Sequence, residues 1–177
     1  MVRYARQRDG FRCVPVAMLN ILKWAGYKEF FQQPVSIKLV PGLLSSLCLT
    51  TREGTYSSDF GIALGYIRKL EVRYIRDIEY KRIKYCLETG GIVALDNDYY
   101  DRRQHKWIGH VCVIVEYDKD INWYRCANIR DNETVTIINS DQLRYMLSSG
   151  PNKPNGWMIW KKEDVDQEGE KSTGTSR

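Results

Sequence analysis

The stretch QRDGFRCVPVAMLNILKWAG, residues 7–26, opens on a glutamine, reaches a cysteine six residues later and then runs into a helical pattern that stops at a glycine. Val14, Ala17, Met18, Ile21, Leu22 and Ala25 recur at spacings of three and four, Pro15 lies in the first turn and Gly26 follows the last apolar residue. That spacing predicts a helix of about three turns whose amino end is Cys13 or Val14. A core helix needs neither a thiol at its mouth nor an amide just upstream. A thiol attacks as thiolate, and the positive end of a helix macrodipole is one influence that favours the anion.

Working outward, residues 27–58 are broken by Pro34, Pro41 and Gly42 and predict only short helices or turns. SSDFGIALGYIRKL (57–70) reads as a second helix capped by Ser58 or Asp59, VRYI as a short strand, and DIEYKRIKYCLETGG (77–91) as a third helix ending at Gly90 and Gly91. The character then changes. GIVALD, IGHVCVIVEY, NWYRCAN, ETVTII and GWMIWKK are rich in branched and aromatic residues and predict an antiparallel sheet, with a short helix SDQLRYML capped by Asn139 or Ser140 before the last strand. Helices first and strands afterwards give an α+β fold in two layers, the leading helix packed on the sheet. Residues 1–162 form one domain on this reading, and the apolar-poor 163–177 a disordered tail.

Composition narrows the function. With 43% hydrophobic residues and 12 tyrosines the chain is globular, and the net charge of +5 comes from 27 Lys and Arg scattered among 22 acids, not from a block that would mark a nucleic-acid footprint. No stretch approaches the ~18 apolar residues of a membrane span, and the amino terminus lacks the apolar core of a signal peptide, so the expectation is a cytoplasmic protein, of bacterial or phage origin, that does not enter a membrane. The five cysteines, Cys13, Cys48, Cys86, Cys112 and Cys126, include no C-x-x-C pair, and His105 and His110 are the only histidines. Neither a disulfide framework, a metal site nor a cofactor is expected.

A catalytic thiol needs a base. His110 starts the run HVCVIVEYDKDINWYRCAN, which reads as two strands around a turn at Asp118–Asp120. A three-residue turn places Asn128 opposite His110, where an amide can fix the ring's tautomer, and a longer loop brings Ile129 opposite instead. Asp131 and Asn132 lie close enough that a bulge could put one of them in this third position. His105, in the polar run DNDYYDRRQHKW, is expected on an exposed loop. Acyl transfer by a thiol builds negative charge on the carbonyl oxygen, and the Gln7 amide together with the Cys13 backbone N–H would form a hole for it.

Gln7, Cys13 followed by VPVAMLNILKWAG, the middle REGTYSSDFGIALGYIRKL, and the late GHVCVIVEYD with YRCAN resemble the papain-like cysteine peptidases. They are most similar to the double-glycine, bacteriocin-processing peptidase domains of peptide-exporting ABC transporters, over roughly residues 4–161. The resemblance implies a papain-like fold standing alone, with Cys13 as nucleophile, His110 as general base and acid, Gln7 at the oxyanion hole and Asn128 in the third catalytic position. It departs from that family at Val14, where glycine is usual, and at Asn128, where aspartate is usual. The function it implies is a thiol hydrolase acting on a peptide, isopeptide or related amide bond of a peptide or protein substrate. The alternatives are an inactive peptide-binding module of the same fold and an acyltransferase using the same site.

Overall fold

In the computed structural model, which describes residues 2–7, 11–102, 104–129 and 134–162, the leading helix forms as α1 (Cys13–Ala25) and Gly26 ends it. Gly26 has φ 85° and its N–H reaches the carbonyls of Leu22 and Lys23, a left-handed cap that costs a residue with a Cβ roughly 1–2 kcal/mol. The periodicity points to one buried face, but Val14 to Leu22 are all buried. Neighbours therefore enclose α1 from every side. The one polar residue in that run, Asn20, is satisfied by the amino-terminal segment: its Oδ1 accepts from the Ala5 N–H at 2.6 Å and its Nδ2 donates to the Ala5 carbonyl at 3.0 Å.

Residues 27–56 hold short pieces, as the prolines suggest: a hairpin of β1 (Glu29–Phe30) and β2 (Gln33–Pro34), a 3-10 turn, a π turn at Val40–Leu44 and α2 (Ser45–Leu47). α3 (Ser57–Gly65) follows, then β3 (Leu70–Ile75), α4 (Tyr80–Glu88), β4 (Ile92–Asp101), β5 (Lys106–Asp118), β6 (Trp123–Ala127), β7 (Val135–Asn139), α5 (Ser140–Ser148) and β8 (Asn155–Lys161). Neither Ser58 nor Asp59 caps α3. The helix already begins at Ser57, so both lie inside its first turn and the cap position is Tyr56, without a side-chain bond; the Ser57 hydroxyl is turned to Asp96 at 2.6 Å. At α5 the expected Asn139 cap is present as a full capping box with Gln142.

β3 to β8 make one antiparallel six-stranded sheet in the order β3-β8-β4-β5-β6-β7. Alternation along the strands divides the core. Ile92, Ala94, Val111, Val113, Ala127 and Ile159 pack with α1 and α3 on one face. Val93, Leu95, Cys112, Ile114, Cys126 and Met158 pack with Ile83 and Cys86 of α4 and Leu143 of α5 on the other. The leading helix thus lies on the sheet as expected, and α4 and α5 cover the second face. Cys112 and Cys126 are core residues on the face away from α1.

Two sequence expectations fail at the β4–β5–β6 segment. The polar run from Asp96 to Trp107 is not a loop: β4 and β5 continue as paired strands to Asp101↔Lys106, since Tyr99, Tyr100 and Trp107 suit a strand better than their polar neighbours suggest. His105 sits at the tip, exposed, with φ 51°. The turn after β5 is also longer than three residues. Asp118 pairs with Trp123, and a bulge around Val115 then brings Val113 opposite Ala127. Asn128 therefore does not pair with His110, nor does Ile129. The Asp118 carboxylate, accepting from the N–H groups of Asp120 and Ile121, and Asn122 at φ 56° close a four-residue connection that strand patterning does not register.

Among the described residues no helix is long and apolar enough to cross a membrane. The segment 163–177, expected as a tail, and Asp131 and Asn132 lie outside the described residues.

Candidate active site

Cys13 is the first residue of α1 and the only one of the five cysteines that is not fully buried. Its thiol borders a cavity of about 210 Å³ that His110, Val111, Asp96, Ser57 and Glu53 also line. Burial pushes the Cys13 pKa up, backbone hydrogen bonds at Val111 and Val14 pull it down, and the charge of Asp96 raises it. The net direction is upward. The pull of the helix end toward the anion is thus outweighed by burial and by the Asp96 carboxylate.

His110, on β5 and 7% exposed, is held by the residue the sequence points to, through a different atom. Its Nε2 lies 2.5 Å from the backbone carbonyl oxygen of Asn128, not from the side-chain amide. A carbonyl only accepts, so Nε2 carries the hydrogen and the neutral ring keeps its lone pair on Nδ1. The Tyr99 ring meets the imidazole edge to face at 5.7 Å.

The side chain of Asn128 is a junction. It is fully buried; its Oδ1 accepts from the Gln7 N–H at 2.8 Å, and its Nδ2 faces the Val111 carbonyl at 3.3 Å and the Cys13 carbonyl at 3.5 Å. Asn128 has φ 61°, a left-handed conformation that asparagine tolerates better than most residues. One residue past the β6 ladder, that turn of the chain aims the carbonyl at His110 while the amide ties α1, β5 and the amino-terminal segment together. Gln7 is buried at 3% exposure and joins this junction through its backbone. It does not line the cavity. The structure thus gathers Cys13 and His110 around one cavity and fixes Asn128 and Gln7 behind them, while His105 is not among the residues that line it.

Two cavity residues escape the sequence reading. Asp96 ends the apolar run IVALD, where a strand carboxylate looks like a solvated end, and Ser57 looks like part of a helix start. In the fold Ser57 Oγ donates to Asp96 Oδ2 at 2.6 Å. Burial raises the Asp96 pKa, the Ser57 hydroxyl lowers it, Asp98 raises it further and His110 draws it down. A single aspartate closing an apolar strand near the thiol's helix was the available signal.

Compared with solved structures, the chain is similar to the peptidase domain of Streptococcus ComA, a bifunctional ABC transporter of a quorum-sensing pathway, with a TM-score of 0.62 at 15% identity over 92% of this chain and 100% of that one. It is also similar to the peptidase domain of Streptococcus mutans ComA, with a TM-score of 0.56 at 14% identity over 89% and 98%. A C39-like peptidase of Bacillus anthracis gives 0.54 at 9% identity over 91% and 96%. The chain has the α+β fold of these peptidase domains over nearly its whole length. No protein-family model and no curated protein matches it by sequence.

Proposed function

We propose that a chain with this fold, a thiol at the mouth of α1 and a tautomer-fixed histidine on the same cavity is a thiol hydrolase that cleaves a peptide, isopeptide or related amide bond through a Cys13 acyl-enzyme. The observation that carries the reading is the Asn128 carbonyl on His110 Nε2. It makes Nδ1 the basic nitrogen, which is the protonation state a general base requires.

Burial and the Asp96 charge oppose the Cys13 thiolate, so attack is coupled in this reading to proton transfer from Cys13 to His110 Nδ1. The sulfur adds to the carbonyl carbon, the imidazolium then protonates the leaving amine, and the C–N bond breaks to leave a thioester. Water, deprotonated by the same nitrogen, adds to the thioester and releases the acid and the thiol. The Cys13 backbone N–H, at the amino end of α1, is the proposed donor to the oxyanion, and Gln7, behind the cavity, acts by holding the Asn128 junction through its backbone N–H.

The test is turnover of p-nitrophenyl acetate, followed by intact mass. The reading predicts an acetyl thioester on Cys13 that forms and decays, and in His110→Ala an adduct that forms at least about 10²-fold more slowly, the range expected for loss of a general base. An adduct that never decays, or label spread over several cysteines, assigns the cleft to binding alone. Decay accelerated by an added alkyl amine well beyond the effect of that amine on S-acetyl-N-acetylcysteine identifies an acyltransferase.

A further inference from the structure

Asp96 is an odd neighbour for a nucleophile. It borders the cavity with Cys13, its charge disfavours the thiolate, and Ser57 is the one hydrogen-bond partner of its carboxylate among the described residues. A carboxylate has room for about four acceptor bonds, and no lysine or arginine pairs with this one among the described ion pairs. Glu53, exposed, brings a second carboxylate to the same cavity, whose lining among the described residues includes no lysine or arginine and one base, His110. Arg12, next to Cys13, stacks over the Phe11 ring at 4.5 Å and does not line the cavity. The site therefore carries negative charge where a lone thiolate is worst served by it.

We propose that the cavity is a subsite for a cationic group, a protonated amine or guanidinium carried by the substrate close to the scissile carbonyl, with Asp96 as its counter-ion and Glu53 at the entrance. At about 210 Å³ the cavity is below the roughly 300–1,000 Å³ of sites that enclose whole small molecules. It suits one side chain. A cation seated against Asp96 cancels the charge that opposes the thiolate, so the matching substrate assists in activating Cys13, and a neutral or acidic one leaves it suppressed. Calling the ligand a substrate rests on the acyl-enzyme reading above; the charge selection itself does not.

The experiment separates the two. Cys13 is modified at pH 7.5 with three methanethiosulfonates of similar size, bearing 2-aminoethyl (cationic), methyl (neutral) and 2-sulfonatoethyl (anionic) groups. In each the Cys13 sulfur displaces methanesulfinate and forms a mixed disulfide, and rates are divided by those of N-acetylcysteine. The expected result is a cationic rate about tenfold or more above the anionic one, the order by which a charged cleft biases approach. The bias should fall several-fold in Asp96→Asn and by less in Glu53→Gln, whose exposed side chain is removable without touching the core. Equal normalised rates in the unaltered protein, within about twofold, overturn the proposal, as does a bias unchanged in the Asp96→Asn, Glu53→Gln double variant. Selection without acetyl turnover keeps the subsite and removes the hydrolase; turnover without selection does the reverse.

Discussion

The backbone carbonyl of Asn128 holds His110 Nε2 while the Asn128 side chain holds Gln7, Val111 and Cys13. The acceptor that sets the histidine tautomer thus belongs to the main chain and survives any substitution that preserves the local backbone. What the side chain contributes is the junction between α1, β5 and the amino-terminal segment.

For Asn128→Ala this separation gives a specific outcome. The variant strips buried backbone groups of partners, at about 1–3 kcal/mol each, and puts a Cβ residue without a capping amide at φ 61°. A stability loss of roughly 2–4 kcal/mol by urea denaturation is expected, with turnover per folded molecule falling far less than in Cys13→Ala or His110→Ala. A loss of turnover equal to that of His110→Ala at unchanged stability would show the side chain to be the orienting group.

Cys13 should be the first cysteine labelled by iodoacetamide, because it is the only thiol of the five that is not fully buried. Its rate should keep rising with pH beyond the ordinary cysteine range near 8.5, since burial holds its pKa up. The other cysteines are disfavoured twice: Cys48, Cys86 and Cys112 are pushed up to about 12 and lack access. Peptide mapping across pH 6 to about 9.5 checks this. A labelling plateau below pH 7 would mean a standing thiolate and overturn the protonated resting state.

Asp96→Asn should stabilise the protein at neutral pH. The folded carboxyl binds its proton to higher pH than the unfolded one, so its favourable contribution is complete below the unfolded value near 3.9 and is lost as pH rises through the folded value. The variant removes that loss. Its melting temperature should exceed the parent's at pH 7 and converge with it as pH falls toward about 4, measured by scanning calorimetry. A variant that is less stable at pH 7 would point to a buried cationic partner for Asp96.

Asn20→Ala should release the amino-terminal segment. The Ala5 N–H and carbonyl, both paired to the Asn20 amide, lose their partners at about 1–3 kcal/mol each. Hydrogen exchange at the Ala5 amide should accelerate and turnover should fall with it, because Gln7 lies two residues on. Unchanged exchange at Ala5 would separate this anchor from the site.

Much of the fold was legible because its determinants are local. The three- and four-residue spacing with Pro15 and Gly26 gave α1 almost to the residue, Asn139 with Gln142 gave the start of α5, and branched and aromatic runs gave the strands of the sheet. Cys13 and His110 were legible as chemistry, by residue type and by place on a helix mouth and a strand start.

What the sequence by itself determined, then, was which elements exist and which of them carry a thiol and an imidazole. The tertiary structure decided how those elements register. A bulge near Val115 and a four-residue connection set by Asp118 and Asn122 moved Asn128 off the position opposite His110, and a left-handed backbone at Asn128 returned its carbonyl to the ring instead. Asn20 meeting Ala5 and Ser57 meeting Asp96 join residues 15 and 39 positions apart. Periodicity records which side of an element is apolar and is silent on which distant polar atom will be buried against it; that is fixed only when the packed layers leave each buried donor one acceptor within reach.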